Sequence, residues 1–297
     1  MRIKLVKIFI MIVVIIGMVF ALSYQKNITI LSGSENKNID SSAITFAVFG
    51  ETGKVVGWNY AADLTDSIFI VDYHPNIGAA NIISLPRDLY VNLDGESFKL
   101  NEAVKRNKVG AFLNKLPEIT GMTTDQYIIL NIDLLKSVVD DLDGIDINLK
   151  SDAVDWVSGY TIKAGQNHLD GDQVVWLARN RYAPEGDFFR EKNQYEVIKA
   201  IADKFKSLNP IEKAAFVFKI TPEIAKLKTN LDFQQLLPAM ESFGGIRFND
   251  IVLDFQTGLL ESSTTTIGTS SAYILVPKSG ADNYVDVKTY IQSKIEK

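Results

Sequence analysis

Apolar runs of strand length recur through the chain at residues 44–49, 68–73, 80–85, 127–132 and 144–149, with two more at 251–255 and 272–276. Between some of them the spacing turns helical. Residues 101–107 and 109–116 read as helices, and LLKSVVDDL follows Asp133 as its N-cap and stops at Asp143-Gly144. Asp170 opens another helix over residues 169–179. Asp187 caps a longer one running to Leu208, in which Ile198, Ile201, Phe205 and Leu208 form an apolar stripe at i, i+3, i+7 and i+10. This alternation predicts an α/β fold in which a sheet is covered by helices.

The first residues follow a different pattern. Ile8 to Leu22 is an apolar run broken only by Gly17, flanked by Arg2, Lys4, Lys7 and Lys26 with no acid. Fifteen apolar residues are short for a span, but snorkelling basic residues extend the reach. Ala21-Leu22-Ser23 is a poor cleavage site, so a retained signal-anchor is expected, with its basic end inside. The expected organisation is an anchor over residues 1–26, a polar linker over 27–42 and an extracytoplasmic domain over 43–297, the whole being a single-pass protein of the cell membrane.

Charge and composition narrow the chemistry. Without the four basic residues of the anchor segment, 27 lysines and arginines face 36 acids, a formal charge of −9, so nucleic acid is not an expected partner. The chain has no cysteine, which excludes disulfides, thiolate catalysis and cysteine-held metals. Glycine-rich phosphate loops, Gly-x-Ser-x-Gly elbows and His-Glu-x-x-His motifs are absent. His74 and His168 sit in polar, turn-like settings with no partner at metal-ligand spacing.

Two segments stand out for anion chemistry. LARNRYAPEGDFFREKNQ, residues 177–194, carries Arg179, Arg181 and Arg190; Arg190 and Gln194 share a face at the start of the helix that Asp187 caps. A guanidinium there can grip phosphate in a forked pair, although by itself Arg190 reads more readily as a surface ion pair with Asp187 or Glu191. SLPRD, residues 84–88, ends a strand at Pro86 and projects Arg87 and Asp88 from the strand end, where open α/β sheets keep their sites. Asp66, in Thr65-Asp66-Ser67, opens a neighbouring strand and reads either as a turn residue or as a carboxylate for a hard cation.

Taken in order, TDSIFIVDYHP, NIISLPRDLYVNL, KLNEAV, TDQYIILNIDLLKSVVDDLDGIDINL, AGQNHLDGDQVVWLARNRY and GDFFREKNQYEVIKAI resemble the LytR-CpsA-Psr family of bacterial cell-wall proteins. The resemblance implies a central mixed β-sheet flanked by helices on both faces and a long apolar pocket for a polyprenyl chain. It also implies transfer of an anionic glycopolymer, of teichoic acid or capsule type, from a polyprenyl pyrophosphate carrier to peptidoglycan, with Mg2+ as cofactor. By the same resemblance Arg87, Arg179, Arg181, Arg190 and Gln194 match pyrophosphate-binding positions, and Asp66 matches a metal-binding aspartate. Asp187 matches the aspartate of a Gly-Asp-Phe segment and is a candidate general base or an orienter of Arg190.

Two positions depart from the pattern. Gly50-Glu51-Thr52 stands where the family has Gly-x-Asp, so Thr52 replaces a second magnesium contact and Glu51 is the nearest carboxylate, starting from the opposite side of a regular strand. Asn193 stands where Arg-x-x-Arg-Gln has its second arginine; it donates a hydrogen bond without neutralising charge. The expected activity is therefore a glycopolymer phosphotransferase. A non-catalytic polyprenyl-phosphate-binding protein and a magnesium-dependent pyrophosphatase on the same lipid are its alternatives.

Overall fold

The computed structural model of the protein describes residues 43–51, 64–156, 158–180, 193, 196–197, 199–201, 203–205, 207–232, 246–254, 257–267 and 270–296. Among the described residues no helix is long and apolar enough to cross a membrane. The expected anchor and the expected linker lie outside them. The chain divides into two compact units, one from Asn131–Leu227 and one from Asn38–Leu130 with Lys228–Lys297.

The second of these units carries a six-stranded mixed sheet. Strands β1 (Ile44–Glu51), β2 (Thr65–His74) and β3 (Ala79–Leu85) form an antiparallel meander. The hairpin β4 (Tyr90–Leu93) and β5 (Glu96–Lys99) follows, and then helix α1 (Val109–Ile119) and strand β6 (Tyr127–Asn131). With β11 (Lys228–Thr229) and β12 (Arg247–Val252), the sheet order is β11-β6-β1-β2-β3-β12, and β12 lies parallel to β3. A ribbon of β13 (Leu260–Ile267) and β14 (Ser270–Pro277) and helix α5 (Val285–Lys294) complete the unit.

The apolar runs become central strands because both of their faces are buried. Ala47, Phe49, Ile68, Ile70, Ile83 and Leu85 share one core with the α1 residues Phe112 and Leu116 and the α5 residues Val287 and Ile291. The alternate positions Phe46, Val48, Phe69, Val71 and Ile82 are buried as well. Continuous apolar strands of this kind belong to a sheet covered on both sides. Residues 101–107, expected to be helical, instead form a short 3-10 turn at Leu100–Glu102 followed by turns. The backbone of Asn101 is engaged by Arg87 and Thr65, which leaves it no helical ladder to join.

The other unit holds helix α2 (Ile132–Asp141), strands β7 (Ile145–Leu149), β8 (Ala153–Val154), β9 (Thr161–Ile162) and β10 (Gly165–Leu169), and helices α3 (Gly171–Arg179) and α4 (Pro210–Ile224). The cap of α2 is Asn131 rather than Asp133: its side chain accepts from Leu134 N at 2.9 Å, and Asp133 falls in the first turn. Asp170 caps α3 as expected, in a reciprocal box with Gln173. The described residues between 193 and 207 are helical; Val197, Ile201 and Phe205 are buried at fourfold spacing, while Leu208 has left the helix. Phe205 meets Phe216 of α4 edge-on, ring centroids 5.6 Å apart.

The first residue of α3 shows how closely α2 and α3 pack. A Cβ on Gly171 would lie 2.5 Å from the Lys136 carbonyl oxygen and 2.7 Å from Asp140 Oδ1. The Gly171 N–H donates to that same carboxylate at 2.8 Å. Gly171→Ala therefore has to part the helices or break this bond, and is expected to cost about 1–3 kcal/mol, read as a lower midpoint in urea with an unchanged slope.

Candidate functional site

Three strand termini meet at one end of the sheet. β1 ends at Glu51 where β2 begins, and β3 ends beside them because Leu85 pairs with Ile68. The strand-end placement of Arg87 and Asp66 expected from the sequence is thus a single edge, occupied by Glu51, Asp66 and Arg87. Pro86, without an N–H, ends the ladder, and Leu89 N closes a turn on the Pro86 carbonyl at 3.0 Å.

The backbone of Asn101 stitches this edge together. Its N–H donates to the Arg87 carbonyl at 2.9 Å, and its own carbonyl accepts from Thr65 Oγ1 at 3.1 Å. Arg87 is thereby held next to the first residues of β2. Its side chain is 40% exposed, with Nε 3.5 Å from Asp88 Oδ2. Lys99 Nζ binds the other oxygen of Asp88 at 3.0 Å. Asp88 therefore sits between two cations, and Lys99 is a site residue that the sequence did not single out, although it lies in KLNEAV. Only the β4–β5 hairpin brings it back to Asp88.

The register slips at the critical place. Gly50 pairs with Ser67, but Glu51 pairs with Thr65, so Asp66 is the extra residue of a bulge opposite the Gly50–Glu51 step. Bulges break the regular alternation of side chains and re-aim them. Glu51 is half-buried, and Asn101 Oδ1 is buried without a hydrogen-bond partner among the described residues. Carboxylate and carbonyl oxygens are the donors Mg2+ takes, commonly one or two carboxylates completed by waters and phosphate oxygens. The Asp66 side chain lies outside what the structure describes, and among the described residues no group of three His, Cys, Asp or Glu is gathered for a metal.

In the other unit Arg179 is the last residue of α3, half-buried, where a cation complements the helix C-terminus. Asn180 is buried, and its Nδ2 donates to the Val154 carbonyl at 3.2 Å. Asn193 is 3% exposed, and its Nδ2 has no hydrogen-bond partner among the described residues. The position where the family pattern has an arginine thus keeps a buried donor that no described residue accepts from. Thr52, Arg181, Asp187, Arg190 and Gln194 lie outside the described residues. Each histidine faces one aspartate: His74 Nε2 is 2.8 Å from the buried Asp72, and His168 Nδ1 is 2.7 Å from Asp146.

A model of the LytR_cpsA_psr family matches residues 20–279. The chain belongs to this family. A polyisoprenyl-teichoic acid–peptidoglycan teichoic acid transferase TagU of Bacillus mycoides (strain KBAB4) is 28% identical over 182 residues, covering 60% of this chain and 59% of that protein. The corresponding transferase TagV of Bacillus subtilis (strain 168) is 25% identical over 244 residues, 78% of this chain and 60% of that one. The chain thus spans about three fifths of the length of these relatives. The crystal structure of B. subtilis TagU superposes with a TM-score of 0.53 at 22% identity, over 86% of this chain and 98% of the other, and shares the fold.

Proposed function

We propose that this LytR-CpsA-Psr protein is a membrane-anchored phosphotransferase that moves an anionic glycopolymer, of teichoic acid or capsule type, from a polyprenyl pyrophosphate carrier to peptidoglycan. The observation that carries the reading is the shared sheet end of Glu51, Asp66 and Arg87, where the Asn101 backbone ties Arg87 to Thr65. The names of its TagU and TagV relatives support the same chemistry. In this reading residues 1–26 hold the protein in the cell membrane with the domain outside, and an apolar pocket takes the polyprenyl chain.

An acceptor hydroxyl on peptidoglycan attacks the phosphorus that bears the glycopolymer, a new P–O bond forms, and the bond to the carrier phosphate breaks. The carrier departs as polyprenyl monophosphate, and the hydroxyl proton passes to the Asp187 carboxylate. Arg87, Arg179, Arg181, Arg190 and Gln194 bind the pyrophosphate oxygens and offset the charge that gathers on them. Asp66 with Glu51 would be the carboxylates to hold Mg2+, which would supply charge neutralisation to the pyrophosphate.

Thr52→Asp restores the family's second carboxylate and is expected to tighten Mg2+ binding at least tenfold, about 1.4 kcal/mol, measured by calorimetry in the absence of lipid. Unchanged affinity would remove Glu51 and Asp66 from the metal's surroundings. The buried Asn193, one charge short of the family pattern, favours a second reading in which the protein binds polyprenyl phosphates without turnover. Purified full-length protein given lipid-linked glycopolymer, peptidoglycan and Mg2+ separates the possibilities. Polymer on peptidoglycan supports transfer, carrier phosphate released to water supports a pyrophosphatase, and bound, intact lipid supports the binding protein.

A further inference from the structure

The hairpin of β8 and β9 presents an aromatic group that the transfer site does not use. Trp156, on its connecting loop, is 71% exposed, and Tyr160 on the same loop is 40% exposed. Tyr160 stands edge-on to Trp176 of α3 with ring centroids 4.7 Å apart, and Gln173 Nε2 reaches the Tyr160 hydroxyl at 3.3 Å.

The loop is not a loose end. Asp155 N donates to the Tyr160 carbonyl at 2.9 Å, and Gly159 N to the Asp155 carbonyl at 2.7 Å. The Asp155 carboxylate accepts from Ser158 N at 3.3 Å and Ser158 Oγ at 2.6 Å, and Tyr160 N donates to Ser158 Oγ at 3.3 Å. At its base Asp152 accepts from Ala164 N and Lys163 Nζ, which hold its carboxyl below the usual range and keep it ionised. These bonds hold the backbone on both sides of the exposed indole, which lowers the ordering cost of binding there.

We propose that Trp156 and Tyr160 form a saccharide platform that holds an uncharged N-acetylated glycan strand against the α3 unit. Aromatic faces take the apolar C–H face of a pyranose, while Asp155, Ser158, Gln173 and the Tyr160 hydroxyl supply the hydrogen-bonding groups that sugar hydroxyls and amides require. Charge selects the glycan over a membrane. Residues 150–176 carry Asp152, Asp155, Asp170 and Asp172 against Lys150 and Lys163, and Lys136 of α2 pairs with Asp172; the remaining excess of one acid disfavours anionic lipid and leaves a neutral sugar unaffected. The hairpin is tied to the residue after Arg179 through Asn180 and Val154, so a glycan held here is fixed to the helix that ends in Arg179. That this glycan is the acceptor strand rests on the transferase reading; the platform does not.

The test is calorimetric titration of the full-length protein in detergent with tetra-N-acetylchitotetraose, without donor lipid or Mg2+, beside sedimentation with purified peptidoglycan sacculi. Wild type binds both, W156A loses at least tenfold in affinity, Y160A loses less, and W156F recovers most of the loss, all with an unchanged melting temperature. Equal binding by wild type and W156A, or binding by neither, overturns the proposal. So does quenching of wild type but not W156A by brominated lipid in proteoliposomes, which would assign the rings to the membrane. Glycan binding without any transfer would leave the platform standing and remove the transferase reading; transfer that W156A leaves untouched, with no glycan binding, would do the reverse.

Discussion

Arg87→Ala is expected to lower turnover roughly 10²- to 10³-fold, the loss typical of removing one fixed charge-stabilising donor from a transition state. The change is unusually clean in structural terms. Pro86 and the turn to Leu89 set the backbone, and the Arg87 carbonyl stays bonded to Asn101 N whatever the side chain. The guanidinium is 40% exposed and lies 3.5 Å from Asp88. Lys99 continues to neutralise Asp88. The melting temperature should therefore hold while kcat falls, and Arg87→Lys should recover only part, since an ammonium keeps the charge but loses the fork. A variant with less than threefold loss in kcat would place Arg87 outside the reaction.

Phe112→Ala acts on the opposite side of the balance and should destabilise the protein by about 3–5 kcal/mol. Helix α1 buries Val109, Phe112, Leu113, Leu116 and Ile119, one continuous stripe, and Phe112 is fully enclosed. Its ring meets Phe49 of β1 edge-on at 5.7 Å, and Phe49 lies two residues before Glu51. Truncation leaves a cavity beneath the strand end that carries the site. Equilibrium unfolding in urea measures the loss, and a cost below about 1 kcal/mol would show that the strand and helix close over the gap.

The central strands were legible because burial on both faces leaves an unbroken apolar run, and β1, β2, β3 and β6 emerge close to where those runs lie; β7 shows instead as an alternation, with Asp146 and Asn148 exposed between buried Ile145, Ile147 and Leu149. The Asp170 cap was legible for a local reason: an Asp followed three residues later by Gln satisfies the first turn within itself. Elements set by distant partners were not. KLNEAV reads as helical, yet Asn101 spends its backbone groups on Arg87 and Thr65 from two other elements. β13 reads as a loop because Ser262 to Thr266 are all hydroxyl residues, and pairing with β14 along the whole run makes it a strand. The two-residue strands β8, β9 and β11 are too short to leave a pattern.

The site divides along the same line. SLPRD and Asp66 were legible because a proline after an apolar run, and an aspartate before one, mark strand ends. The one-residue slip at Gly50–Glu51 was not, since a bulge changes pairing without changing composition. Nor was Lys99, which reaches Asp88 only through the β4–β5 turn. Asn193 was noticed for the charge it lacks; its burial, with an Nδ2 that finds no acceptor among the described residues, adds the reason it matters, since a buried donor is costly unless something accepts from it.

The central claim is that carrier phosphate leaves because an acceptor hydroxyl replaces it. The direct measurement follows full-length protein in detergent, with Mg2+ and a donor labelled in the phosphate that bears the glycopolymer, with and without peptidoglycan. The account predicts that polyprenyl monophosphate appears only when peptidoglycan is present, matched mole for mole by labelled phosphodiester on the glycan strands. Carrier release at the same rate without acceptor, the label remaining in soluble polymer, would contradict it.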